Sequence, residues 1–158
     1  MAAAAVAGDL DALRAMSASE LDAPEENGNT ALIWASDAGH AAVVRELLTQ
    51  GVSRNHRGFL GATALARACR LGHTSVVKEL LEGGCDPNIA NDKVQYPLHF
   101  AAFKEKRDAV ALLLEFGCNP FVLDRKGRTP AEDTKDEAIR EQIVLAQDTA
   151  LGNNTGCT

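Results

Sequence analysis

The apolar and polar positions of this chain form a pattern that repeats at a fixed interval. The segment Thr-Ala-Leu-Ile-Trp-Ala begins at Thr30, and related segments begin at Thr63, Tyr96 and Thr129, each 33 residues after the last. A Gly-His pair, a Leu-Leu pair and a single glycine recur in the same register in at least two units. A constant period of this length indicates a chain built from repeated supersecondary units.

Each unit predicts two short helices. A threonine such as Thr30 suits a helix N-cap, because its hydroxyl can accept a hydrogen bond from an unpaired backbone N–H. Pro97 follows the equivalent position, at the start of a helix, where its missing N–H costs nothing. The first helix then ends at a glycine such as Gly39, which can adopt the left-handed conformation. The apolar stripe within residues 43–48 predicts a second helix, which ends at Gly51.

Neither helix is long enough to be stable alone, since isolated helices shorter than about 12–15 residues are marginal in water. The units must therefore stack to bury their apolar stripes, and nearest-neighbour interfaces stabilise such a stack. The aromatic content is only 4%, which fits thin layers of short helices. We predict an all-α solenoid of helix-turn-helix units with projecting hairpin loops.

The pattern resembles that of the ankyrin-repeat family. The family's Thr-Pro-Leu-His-x-Ala-Ala motif is nearly complete from Tyr96 to Ala102, and its Gly-Ala-Asp-x-Asn hairpin is matched from Gly84 to Asn88. The resemblance implies an ankyrin-repeat solenoid with β-hairpin loops that binds another protein and needs no cofactor. The short chain is similar to small stand-alone ankyrin proteins of the myotrophin type.

We expect a single ankyrin-repeat domain over residues 1–147. Terminal units differ from inner ones because one of their faces meets water, and the acidic segment after Thr129 fits that role. Residues 148–158 are small and polar, which predicts a disordered tail. The predicted units are a partial repeat at 1–24, full repeats at 25–57, 58–90 and 91–123, and a capping repeat at 124–147.

The third unit departs from the pattern at two turns. Val94 stands where the other hairpins have glycine, and Glu105-Lys106 replaces the Gly-His pair. A β-branched residue with positive φ is strained by about 1–3 kcal/mol. We therefore expect both turns to be reshaped, with Tyr96 replacing the threonine cap.

Composition and charge exclude several classes of function. The net charge of −6 leaves no basic excess for binding nucleic acid. No apolar run approaches the roughly 20 residues that a membrane span requires. The first residues lack the pattern of a secretory signal, and the four cysteines show no CxxC spacing. We expect a monomer with reduced thiols in the cytoplasm, and in the nucleus as a second compartment.

The candidate chemical groups fit structural roles better than catalytic ones. The resemblance implies that His40, His73 and His99 bond to the backbone of neighbouring units, while His56 is expected to be solvated. The cysteines at 69, 85 and 118 fall at positions that the family fills with alanine. Phosphate-binding loops and nucleophile-elbow motifs are absent from the sequence. We predict no catalytic, cofactor-binding or metal-binding residue and no enzyme activity.

The resemblance implies a concave face, built from hairpin tips and the first helix of each unit, that binds a partner protein. Mapped onto this chain, the face begins acidic, becomes apolar around Phe59 and Leu60, and ends basic. An apolar centre with charged flanks is the layout of a binding hot spot. Alternatively, Phe59 and Leu60 fold back against Trp34 or against a neighbouring hairpin. The predicted partner-binding residues are Asp37, Phe59, Leu60, Arg70, Leu71, Lys93, Gln95, Phe103, Lys104, Arg125 and Lys126, with Glu26, Asn27, Asn29, Ala38, Ala62, Asp92 and Arg128 exposed beside them.

These observations favour a non-enzymatic interaction module that acts as an adaptor or as a stoichiometric regulator of a partner protein. One alternative is a targeting domain of a larger enzyme or assembly, which the initiator methionine and short tail disfavour. Another is a substrate of an asparaginyl hydroxylase, modified at Asn88 or, with a weaker match, at Asn55. The last alternative is a structural spacer without a dedicated ligand.

Overall fold

The computed structural model describes residues 1–152. Within those residues the chain forms eleven α-helices and no β-strand, and Phe59–Gly61 forms one 3₁₀ turn. The helices are α1 (Ala2–Ala7), α2 (Leu10–Arg14), α3 (Ala18–Asp22), α4 (Ala31–Ala38), α5 (Ala41–Thr49), α6 (Ala64–Leu71), α7 (Thr74–Glu82), α8 (Pro97–Phe103), α9 (Arg107–Glu115), α10 (Pro130–Asp133) and α11 (Glu137–Gly152).

The helices stack in two rows. The inner row consists of α1, α4, α6, α8 and α10, each in contact with the next. The outer row consists of α2, α5, α7, α9 and α11, and each outer helix also packs on the inner helix of its own unit. This arrangement confirms the prediction of an all-α solenoid built from helix-turn-helix units.

The stack is held by aliphatic side chains at equivalent positions of successive units. Leu32, Leu65 and Leu98 from the inner row are at most 2% exposed. Val44 and Val77 in the outer row are fully buried. Because these residues belong to one continuous core, no unit can lose its neighbour without exposing apolar surface.

The inner helices begin as the sequence indicates, but the threonine caps differ in chemistry. The Thr63 hydroxyl accepts a hydrogen bond from the Ala66 N–H at 3.2 Å. At the last unit the backbone N–H of Thr129 instead donates to the Glu132 carboxylate at 2.6 Å. The Thr30 hydroxyl is buried and has no hydrogen-bond partner. The Thr63 hydroxyl is therefore the predicted acceptor, and Thr129 forms a capping box with Glu132, whereas the Thr30 hydroxyl makes no cap bond within residues 1–152.

Two non-glycine residues take the left-handed conformation that other units give to glycine. Val94 has φ 58° in the third hairpin, and Glu105 has φ 54° in the turn between α8 and α9. The usual hydrogen bonds survive, since the Val94 N–H donates to the Asn91 carbonyl at 3.0 Å and the Lys106 N–H donates to the Ala101 carbonyl at 2.9 Å. The expectation of reshaped turns is therefore wrong, because the stack imposes the common geometry at a cost of about 1–3 kcal/mol for each strained residue.

The projecting hairpins are tight turns. In the first, the Glu25 N–H donates to the Asn29 carbonyl at 3.1 Å, and the Gly28 N–H donates back to the Glu25 carbonyl at 2.7 Å. The same pair of bonds recurs in the next three hairpins. Each hairpin is thus too short to form a β-strand, although it projects as the sequence predicts.

The last helix is longer than the sequence suggests. α11 continues to Gly152, so the prediction of a disordered tail from residue 148 is wrong for residues 148–152. Ile139 and Ile143 anchor the helix in the core, and the Gln147 side chain donates to the Pro120 carbonyl at 2.8 Å. The rest of the predicted tail, including Cys157, lies outside the described residues.

The histidines tie neighbouring units together, as the resemblance implies. His56 also bonds, through a ring nitrogen, to the Gly28 carbonyl at 2.9 Å, so the expectation that it is merely solvated is wrong. The other pairs join His40 to the Val6 carbonyl at 2.7 Å, His73 to the Asp37 carbonyl at 3.1 Å and His99 to the Arg128 carbonyl at 3.0 Å.

The cysteines of the stack are small core residues. Cys69, Cys85 and Cys118 are at most 5% exposed, and all three are free thiols. Burial raises the pKa of Cys85 and of Cys118 to about 12, and it raises the pKa of Cys69 further. A thiol with so high a pKa holds almost no reactive thiolate at neutral pH.

Candidate protein-binding surface

The second hairpin presents two large apolar side chains to solvent. Phe59 and Leu60 are 52% and 49% exposed, and the alternative in which they fold back against Trp34 is not observed. The buried side chain of Asn29 accepts a hydrogen bond from the Phe59 backbone N–H at 2.9 Å. On the other side, the Leu60 carbonyl accepts one from the Asp92 N–H at 3.1 Å. The hairpin is therefore fixed by both of its neighbours.

The backbone of this hairpin is strained at its tip. Leu60 has φ 57° and ψ 28°, a left-handed conformation that a branched side chain rarely adopts. Gly58 allows the close approach to the preceding unit, because a Cβ there would lie 2.3 Å from Asn29 Oδ1 and 2.7 Å from Ile33 Cδ1. Strain of this kind persists only where the surroundings fix it, and it clusters at binding sites.

A groove lies between the second and third hairpins and the inner helices α6 and α8. Its volume is about 220 Å³. We call it the finger groove, and it is lined by Phe59, Leu60, Ala62, Ala66, Arg67, Arg70, Asn91, Lys93, Gln95 and Phe100.

A second groove of about 290 Å³ continues from the first toward the last unit. The two grooves share Arg70, Gln95 and Phe100, so they adjoin each other along the inner row. We call the second one the cap groove, and it is lined by Arg70, Gln95, His99, Phe100, Phe103, Lys104, Arg128 and Asp133.

Some basic side chains of the two grooves form close ion pairs with carboxylates, and others form none within residues 1–152. Arg128 pairs with Asp124 at 2.7 Å and with Asp133 at 2.9 Å. Lys93 and Lys104 form no ion pair within residues 1–152. The Lys104 amino group instead lies 5.3 Å from the centroid of the Phe103 ring, a cation–π contact. The two lysines therefore keep their positive charge available to a ligand.

Asp37 lies beside two arginines of the inner row and lines neither groove. Its carboxylate lies 3.6 Å from the Arg67 guanidinium and 3.7 Å from that of Arg70, and the Asp37 side chain is only 30% exposed. It therefore orients the arginines that line the finger groove. The arginines are loosely held, because neither distance is short enough for a hydrogen bond.

The predicted contact residues divide into groove residues and neighbours. Leu71 and Phe103 are 40% and 62% exposed. Asn29 was expected to be exposed but is only 3% exposed, because it supports the Phe59 backbone. The predicted residues in the finger groove are Phe59, Leu60, Arg70, Lys93 and Gln95, those in the cap groove are Arg70, Gln95, Phe103 and Lys104, and those lining neither are Asp37, Leu71, Arg125 and Lys126.

Sequence reasoning missed four residues that line the finger groove: Ala66, Arg67, Asn91 and Phe100. Arg67 and Phe100 stand 33 and 66 positions after Trp34, on the same face of the inner helices. The repeat register carries this signal, because it gives equivalent positions in every unit the same orientation. The predicted helix residues come from the C-terminal ends of the first helices, whereas Arg67 and Phe100 lie one turn earlier.

The two predicted modification sites take part in contacts between units. The Asn55 side-chain oxygen accepts a hydrogen bond from the Asp86 N–H at 2.9 Å. The Asn88 oxygen accepts one from the Asn119 N–H at 2.7 Å, and both asparagines are exposed. Their hydroxylation stays a prediction.

The described residues offer neither a metal site nor a membrane-spanning helix. Across residues 1–152, no group of three or more His, Cys, Asp or Glu side chains is arranged to hold a metal ion. In that range no helix combines the length and the apolar character needed to cross a membrane.

Comparison with known proteins gives one match. The family model for ankyrin repeats in three copies matches residues 1–91 and 75–133. A search of curated proteins found no match, so the similarity to myotrophin stays a prediction.

Proposed function

The chain belongs to the ankyrin-repeat family, and from this premise we propose that it is a non-enzymatic module that binds one partner protein through its inner row and hairpin tips. Ankyrin repeats are in general protein–protein interaction modules. The finer role that we propose is that of an adaptor or a stoichiometric regulator, which acts by occupying a surface of its partner.

The observation that carries the proposal is the exposed pair Phe59 and Leu60. Both side chains border the finger groove, on a backbone that hydrogen bonds to both neighbouring units keep in place. A pre-ordered apolar anchor loses little conformational entropy when it binds, which favours affinity. Exposed apolar patches beside polar rims mark interaction sites in soluble proteins.

The absence of catalysis is part of the proposal. Three of the four histidines tie successive units together, and the three buried thiols have raised pKa values. These groups are occupied by structural contacts, which supports a binding role. We further place the monomeric module in the cytoplasm, with the nucleus as a second compartment.

An affinity experiment with a matched control tests the binding face. The double variant Phe59→Glu with Leu60→Lys charges the anchor, and it should abolish capture of the partner from a cell lysate. The control variant Val144→Glu with Leu145→Lys makes the same changes at two exposed residues of α11. Proteins that are lost with the first variant and kept with the second are the specific partners.

Circular dichroism must show that both variants fold like the wild type. If the charged anchor variant folds and captures the same proteins in the same amounts, the proposal is wrong. If the α11 variant alone loses the partner, the binding face is at the other end of the stack.

A second candidate role is that of a hydroxylase substrate at Asn88. The exposure of Asn88 favours it, whereas the bond from its side chain to the Asn119 N–H requires local opening of the hairpin. Intact mass spectrometry after incubation with an asparaginyl hydroxylase tests this role. A gain of one oxygen atom that disappears in Asn88→Ala supports it, and an unchanged mass excludes it.

A further inference from the structure

The charge and shape of the adjoining grooves define the chemistry of the partner. Resting on the proposed binding function, we propose that the grooves hold an acidic segment of a partner protein that places apolar side chains beside Phe59 and Phe103. This proposal gives the binding face an acidic class of ligand. The negative net charge of the whole protein would not suggest such a ligand.

The charge of the grooves contrasts with the charge of the whole molecule. The whole chain carries a net charge of −6, whereas the grooves are lined by five basic side chains and only one acidic side chain, Asp133. Asp133 is already paired with Arg128. A cleft lined by one sign of charge attracts ligands of the opposite sign and speeds their association. The basic residues are Arg67, Arg70, Lys93, Lys104 and Arg128.

Several of these cations lack a close ion-pair partner among residues 1–152. Lys93 and Lys104 form no ion pair with any described residue. Arg70 is 41% exposed and lies 3.7 Å from Asp37, without a hydrogen bond. Carboxylates of a ligand could therefore form charge-assisted hydrogen bonds without breaking a close ion pair in the protein.

Apolar side chains line the grooves between the charged ones. Phe59 and Leu60 border the finger groove, Phe103 borders the cap groove, and Phe100 contributes to both. Burial of apolar side chains against these rings supplies affinity that ion pairs on a protein rim do not. The ligand segment should therefore combine aromatic or aliphatic anchors with Asp or Glu at their sides.

The same features disfavour nucleic acid and membranes as ligands. Both present continuous negative charge, which the acidic remainder of this protein repels. The lysines flank apolar grooves between helices, whereas a phosphate backbone needs an uninterrupted basic stripe. An acidic polypeptide segment can pack its apolar side chains in the grooves while its carboxylates pair with the basic residues around them.

A peptide-display selection tests this chemistry on the full chain. A library of random decapeptides is selected on the immobilised wild type, and the enriched peptides are then synthesised with a fluorescent label. We expect them to carry several Asp or Glu residues beside aromatic residues or Leu. Their dissociation constants, measured by fluorescence anisotropy, should rise with salt concentration, because exposed charge contacts are screened.

Matched charge reversals locate the site. Lys93→Glu and Lys104→Glu should each weaken the binding of the acidic peptides by about tenfold or more, as expected when like charges meet. Lys78→Glu makes the same charge change on the outer helix α7, where Lys78 is 59% exposed, and should change the dissociation constant less than about twofold, an effect of distant charge alone.

The outcomes separate this inference from the proposed function. If neutral or basic peptides are enriched and Phe59→Glu with Leu60→Lys abolishes their binding, the binding face stands and the acidic ligand is wrong. If no peptide is enriched, or if only RNA or vesicles containing phosphatidylserine bind, the acidic ligand is also wrong. If acidic peptides bind equally well to every variant, the ligand binds elsewhere, and both the inference and the proposed face fail.

Discussion

The buried side chain of Asn29 positions the exposed ring of Phe59 from the preceding unit. Asn29 Oδ1 accepts the hydrogen bond of the Phe59 backbone N–H at 2.9 Å, and Asn29 itself is only 3% exposed. The contact between two units is therefore also the support of the proposed binding anchor. A substitution at this contact should affect both the stability of the stack and the affinity for a partner.

Replacement of Asn29 by alanine should lower the free energy of unfolding by about 1–3 kcal/mol. The change leaves the Phe59 N–H without its acceptor in a partly buried position, and an unpaired polar group carries a desolvation penalty of that size. Urea denaturation measures the effect. Glu26→Ala, an exposed change on the same hairpin, should stay within about 0.5 kcal/mol of the wild type. Equal stabilities of the two variants would contradict the supporting role of Asn29.

Replacement of Val94 by glycine should stabilise the protein by about 1 kcal/mol. Val94 has φ 58°, and relief of that strain outweighs the extra entropy of a glycine in the unfolded chain. Val144→Gly removes the same side chain at a similarly exposed position in the helix α11, and should destabilise by about 1 kcal/mol. A higher thermal midpoint for Val94→Gly and a lower one for Val144→Gly would support strain at Val94. A lower midpoint for both variants would contradict it.

Replacement of Leu98 by alanine should cost about 2–5 kcal/mol, because it leaves a cavity in the middle of the stack. Leu98 is fully buried, and α8 packs on both α6 and α10. The exposed Leu145→Ala on α11 should cost less than about 0.5 kcal/mol. Chemical denaturation followed by circular dichroism measures both. A small effect at Leu98 would mean that the stack does not depend on contacts between adjacent units.

The repeat register predicted the helices because it reflects burial, which the stack requires of every unit. Leu65 and Leu98 occupy the same position of successive repeats, and both are buried in the core. The register held at Val94 and Glu105, where the expectation from residue preference failed for a physical reason. Residue preferences argued for different turns, but packing against neighbouring units imposes the common backbone at a cost that the stack can sustain.

The candidate surface was only partly predictable. The sequence predicts Phe59 and Leu60 at the surface but not the Asn29 contact beneath Phe59, because a side chain that bonds to the backbone of another unit has no local sequence signal. The repeat register could have predicted that Phe100 lies on this face. It could not have predicted that Phe100 lines both grooves, because residues of neighbouring units complete the groove walls. The extension of α11 through residue 152 was missed since small polar residues are compatible with either a helix or a tail.

The turn before α10 should make the last unit sensitive to acid through Asp124. Its carboxylate accepts hydrogen bonds from the backbone N–H groups of Arg128 at 2.9 Å and Lys126 at 2.8 Å, and also pairs with the Arg128 guanidinium. These contacts, with the Arg128 backbone N–H as the largest, lower the pKa of Asp124 from 3.8 to about 2. Arg128→Gln, which keeps the backbone N–H, should therefore retain most of this lowering in a carboxyl NMR titration.

Because the folded pKa lies below the ordinary value, the charged carboxylate favours the folded state. This contribution is complete above about pH 4 and is lost as the pH falls toward 2. Asp124→Asn should therefore destabilise the protein at pH 6, and its deficit relative to the wild type should shrink between pH 4 and pH 2. Urea denaturation across that range measures the difference. A deficit that stays constant, or an Asp124 pKa near 4 in the wild type, would show that the turn does not stabilise the charged carboxylate.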